Sequence, residues 1–108
     1  MTVLTIRACK RYAVRQEISL HKAEGRRTQG LLIELSSEGC RISNLKRGEC
    51  VAGDTVTVEI GEVNLPGRVY WAHDGVAGVR LDNALFSSQL ADLVAIGRCE
   101  SEIARYGT

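Results

Sequence analysis

Leu31-Leu32-Ile33-Glu34-Leu35-Ser36-Ser37-Glu38-Gly39-Cys40-Arg41-Ile42-Ser43 is the stretch on which the fold turns. Leu31, Leu32, Ile33 and Leu35 form an apolar run of strand length. Cys40 and Ile42 then alternate with Arg41 and Ser43, the period of a half-buried strand. Between the two strands, Glu34 and Ser36 sit two residues apart and project from one face of an extended chain. Gly39 comes three residues after Ser36. There it can take a positive φ and let a ligand approach the backbone. The same stretch also fits an ordinary hairpin turn with a solvated Glu and Ser.

On the N-terminal side, residues 1–9 have no strong period and form an arm. Arg11 and Arg15 then stand four residues apart. That spacing stacks them on a helix face, and in a tight loop it brings both guanidinium groups to one ligand. Ile18 and Leu20 fall on one side of a first strand from about Val14 to Lys22. Ala23 to Thr28 is a polar turn.

On the C-terminal side, Asn44 to Asp54 is a loop marked by Gly48 and Gly53. Val56, Val58 and Ile60 alternate inward. Pro66 interrupts the next strand near its start, which suits an edge or a bulge. Val69 and Trp71 face one way and Tyr70 the other. Asp74-Gly75 is a two-residue hairpin signal, and Val79 and Leu81 alternate with Arg80 on the returning strand. Ser87 is the expected N-cap of a helix over about 87–105, with Leu90, Leu93, Val94 and Gly97 at helical spacing and Gly97 kinking or ending it. One helix after about six short strands predicts a small antiparallel barrel with a helix docked against it.

The whole chain narrows the function. At 108 residues, one domain is expected. No apolar run approaches the ~18 residues of a membrane span, and no secretory signal is legible, so a cytoplasmic protein is expected. Residues 1–27 carry seven basic groups against two acids and the remainder seven against eleven, so the front end is positive and suits an anionic partner. The cysteines, Cys9, Cys40, Cys50 and Cys99, form no CxxC pair, and neither His21 nor His73 sits at ligand spacing from one. Metal binding is therefore not expected, and reduced, buried thiols are. No Ser-His-acid or Cys-His arrangement is legible, so the chain does not read as an enzyme. An aromatic content of 5% leaves few platforms for stacking bases, which argues against single-stranded nucleic acid as the partner.

Arg11-x-x-x-Arg15 before the first strand and Glu34-x-Ser36-x-x-Gly39 after the second, taken together, resemble the PilZ domain, whose signature is RxxxR followed by (D/N)xSxxG. Lys10-Arg11 looks like the doubly basic start of that family's loop. Val51 to Val58, VAGDTVTV, looks like its fourth-strand entry. Trp71 with Gly78-Val79 looks like its late strand pair. The resemblance covers about residues 10–95, which gives an arm over 1–9 and a PilZ-like domain over 10–108.

It implies a six-stranded antiparallel β-barrel with a C-terminal helix. It also implies a receptor for cyclic di-GMP that relays the level of this messenger to a partner protein. Arg11 and Arg15 would grip phosphate and guanine, with Lys10 beside them, and Glu34, Ser36 and Gly39 would line the other side. The chemistry is sound in its own right. An arginine fork matches phosphate oxygens or the O6 and N7 of guanine. A carboxylate accepts from the donor edge of the same base. Glu34 departs from the family's Asp or Asn by one methylene, about an ångström of reach, and leaves open a PilZ-fold adaptor that does not bind nucleotide.

Overall fold

The computed structural model describes residues 11–106, with only the backbone described over 99–106. The arm over 1–9 and Lys10 lie outside the described residues. Six strands are present among the described residues: β1 (Tyr12–Lys22), β2 (Arg27–Leu35), β3 (Gly39–Ser43), β4 (Thr55–Ile60), β5 (Val63–His73) and β6 (Val76–Leu81). One helix comes after them, α1 (Ser87–Tyr106). Every strand pairing is antiparallel, and the order β1-β2-β3-β6-β5-β4 closes into a barrel. Each strand's alternation thus has an unambiguous meaning. Ile18, Leu20, Leu32, Ile42, Val56, Val58, Val69 and Val79 point inward and are buried. Burying side chains of this size stabilises the fold by about 1.5–3 kcal/mol each before chain entropy is subtracted.

Three irregularities shift which side chains face out. The β1–β2 register slips between Ala13 and Gln16, the β2–β3 register between Leu32 and Glu34, and the β5–β6 register between Val69 and Trp71. An extra residue on one strand bends it and re-aims the side chains beyond it. Trp71 is therefore not on the same side as Val69, as alternation alone predicts. It pairs with Gly78 on the outer face, and its indole covers the space a Gly78 side chain would take.

Pro66 sits where β5 has run past the end of β6. The β5–β6 pairing begins at Gly67 and Leu81, and the Pro66 carbonyl accepts from the Asp82 N–H at 2.9 Å. A strand residue directs its N–H and C=O to the same neighbour, so the missing donor costs no ladder bond. The bulge of this strand lies at Tyr70 instead. Asp74 and Gly75 turn the β5–β6 hairpin with φ of 56° and 80°, the primed geometry their sequence predicts.

The helix begins at Ser87 itself, and its cap is Phe86, one residue before the expected one. The Phe86 carbonyl accepts from Leu90, and the Gln89 side chain accepts from the Phe86 N–H at 3.1 Å. This is the returning half of a capping box. Gly97 does not end the helix, which runs on to Tyr106. A Cβ there would lie 2.7 Å from Val14 Cβ, so glycine lets α1 press against β1. Arg98 adds a guanidinium 5.6 Å from the Tyr12 ring centroid. Contact of this kind offsets the roughly 1 kcal/mol that glycine costs in a helix.

Candidate functional site

The turn joining β2 to β3 is built by one hydroxyl. Ser36 Oγ accepts from the N–H groups of Glu38 and Gly39 at 3.3 and 3.2 Å and lies 3.2 Å from the Gly39 carbonyl. The Ser36 N–H donates to that same carbonyl at 2.9 Å. Ser36 is nearly buried, and its hydroxyl is committed to holding the turn. Gly39 is extended in β3 rather than at positive φ. A Cβ on it would meet the Val79 carbonyl oxygen at 2.5 Å, so glycine is required by the close approach of β6. The turn is tied down on its far side as well. The carbonyls of Ser37 and Glu38 accept from Leu85 and Leu81 at 2.8 and 2.9 Å.

Beside this turn lies an open depression of about 120 Å³. Arg11, Glu34, Ser36 and Gly39, four of the residues singled out from the sequence, line it together. Glu34 is central. One carboxylate oxygen is 3.6 Å from Arg11 Nε and the other 3.4 Å from Arg41 Nη1. Both arginines are about half exposed, and solvated pairs of this kind contribute roughly 0–1 kcal/mol. A doubly charged ligand can therefore displace the carboxylate from either arginine. Arg15 is exposed on the irregular stretch of β1 and does not line the depression, and it lies in the strand rather than in a loop.

Barrel closure brings in side chains that no local motif marks. β3 lies next to β6 and β6 next to β5, so Arg41, Tyr70 and Arg80 meet at the depression. Arg41 stacks 5.6 Å from the Trp71 ring centroid, and Arg80 stands 5.6 Å from that of Tyr70. The two rings contact edge to face. The only sequence sign of these residues is negative: polar or aromatic positions facing out of strands whose neighbours are buried.

Cys40 lines the same depression from β3 but is buried, and burial pushes its thiol up to about 12. That side of the depression is thus neutral at physiological pH. Cys40 should resist alkylation by iodoacetamide at pH 8 in the native protein and react on unfolding. Prompt modification in the native state, read by mass spectrometry, would contradict this placement.

Known proteins resemble this chain in sequence pattern and in fold. The family model described as PilZ domain matches residues 5–96. The PilZ domain of CeSA from a cellulose-synthesizing bacterium superimposes with a TM-score of 0.62 at 16% identity, covering 85% of this chain and 98% of that one. The PilZ domain of YcgR from Escherichia coli, solved with c-di-GMP, gives a TM-score of 0.64 at 14% identity, over 96% of this chain and 100% of that one. No curated protein matches the sequence.

Proposed function

The chain belongs to the PilZ domain family, and from that premise we propose that it is a receptor that binds cyclic di-GMP in the depression beside the Ser36–Gly39 turn and relays the level of this messenger to a partner protein. One observation carries the reading: Arg11 and Arg41 flank Glu34 at the mouth of a depression beside a glycine-containing turn. The arginines offer forked donors to phosphate and to the acceptor edge of guanine. Glu34 offers acceptors to the donor edge. Arg15 joins by swinging its guanidinium over as the ligand arrives, and Lys10 adds charge next to Arg11. Ser36 and Gly39 shape the turn against which the ligand rests. The buried thiols Cys40 and Cys50 suit a reducing compartment, which supports a cytoplasmic receptor. The role is one of binding, not catalysis.

Isothermal titration with cyclic di-GMP tests the reading. Saturable binding that cyclic AMP does not compete for is expected. A second reading, an adaptor that has given up the nucleotide, is favoured by the pairing of Glu34 with two arginines in the free protein. The absence of heat and of any chemical-shift change at millimolar ligand would select it.

A substitution series at Glu34 separates reach from charge. Glu34→Asp should bind at least as tightly as the parent. It sets the carboxylate where the family motif has it and immobilises one rotor fewer, a few tenths of a kcal/mol. Glu34→Ala removes the acceptor for the guanine donors and should weaken binding by about 1–3 kcal/mol. Affinities within twofold across all three proteins would make Glu34 a solvated strand residue.

A further inference from the structure

We propose that Arg80 and Arg68, backed by Tyr70, form a second anion seat on the rim of the depression, which takes a second phosphate of the bound ligand. The inference rests on the cyclic di-GMP reading, because that ligand carries two phosphates, and a site that grips both needs cations on two sides.

The strands place this seat directly. On the outer face, Gly39 of β3 pairs with Arg80 of β6, and Arg80 pairs with Arg68 of β5. Gly39 has no side chain, so Arg80 is the first group to rise beside the Ser36–Gly39 turn. Two arginines directly opposite each other across a ladder repel and destabilise the sheet. Among the described residues no carboxylate lies within 4.0 Å of either guanidinium, so no ion pair there offsets the repulsion. Of the two acids that line the depression, Glu34 is drawn to Arg11 and Arg41, and Glu38 makes no ion pair with either arginine of the seat.

Tyr70, the bulge residue of β5, lies with its ring centroid 5.6 Å from the Arg80 guanidinium carbon. A guanidinium held against an aromatic face keeps its N–H edge free for an anion. Arg80 lines the same depression as Arg11 and Arg41, and Arg68 stands outside the lining, opposite Arg80 on β5, so the pair meets the ligand from a second rim through Arg80. An uncompensated like-charge pair beside an open depression makes sense as a site whose counterion is the ligand.

The test is titration of the full chain with cyclic di-GMP and, in parallel, with cyclic GMP, which has one phosphate, alongside thermal unfolding of the free proteins. Arg80→Gln and Arg68→Gln should each weaken cyclic di-GMP binding about tenfold. They should leave the affinity for cyclic GMP within twofold of the parent's. The unfolding temperature should stay level or rise, because each variant removes a repulsion, whereas a structural role would lower it. Parent-like cyclic di-GMP affinity in both variants would overturn the seat and leave the receptor reading standing. Equal losses for both ligands would also overturn it, since the arginines would then not serve the second phosphate. A parent protein that binds no cyclic di-GMP would remove the receptor reading and the seat together.

Discussion

Replacing Arg11 or Arg15 by alanine should remove most of the protein's affinity for cyclic di-GMP and almost none of its stability. Each loses charge-assisted hydrogen bonds, about 1.5–3 kcal/mol, which is roughly 10- to 150-fold in Kd. The stability term is small because both side chains are exposed. Arg11 has only a solvated ion pair to lose, and surface truncations of this sort stay within about 0.5 kcal/mol. Titration and thermal melts on the same samples separate the two effects. If Arg11→Ala loses affinity while Arg15→Ala binds like the parent, the grip belongs to Arg11 and Arg41, and Arg15, outside the lining of the depression, takes no part. If both variants bind like the parent, the motif assignment fails.

Gly39→Ala should damage the fold and the site together. The added Cβ meets the Val79 carbonyl oxygen at 2.5 Å, and that oxygen is backbone in the wall of a closed barrel. It cannot rotate away as a side-chain tip can. β3 and β6 must separate, or the turn must lift off. Overpacking of this kind costs about 1–3 kcal/mol, roughly 5–20 °C in Tm for a chain of this size. Lifting the turn also breaks the bonds Ser36 makes within it, so nucleotide affinity should fall with Tm. An unchanged melting temperature measured by circular dichroism would show that the close approach is not rigid.

Much of the barrel is legible in the sequence because burial and strand period coincide. Val56, Val58 and Ile60 alternate without interruption, as do Cys40 and Ile42, and all five are buried. The start of β2 is not legible. Arg27, Thr28 and Gln29 are strand residues by pairing with β1, yet they are polar and lack an apolar partner set. The face of Trp71 escapes simple alternation for a different reason. A bulge inserts one residue and reverses every side chain after it, and Tyr70 looks like any other strand residue. Gly39 stands out correctly as a special glycine, but its cause is a strand distant in sequence and adjacent in space. Arg11 and Glu34 can be paired from motif spacing. Arg41, Arg80 and Tyr70 cannot, because only closure in the order β3-β6-β5 brings them to the depression. Phe86 takes the cap position despite its apolar side chain, because Gln89 supplies the returning hydrogen bond.

The closed ladder has a consequence for how other chains can meet this one. Each strand of the ring has a neighbour on both sides, so no strand presents a full free edge, and β1 runs past its pairing with β4 only over Tyr12–Ile18. Recognition by strand addition, which draws its affinity from main-chain pairing, finds only short overhangs to begin on. The same geometry withholds the template on which edge-to-edge stacking and cross-β growth depend. What binds the barrel therefore reads it mainly through side chains, and its choice of partner is written in surface residues that substitution can change without touching the ladder.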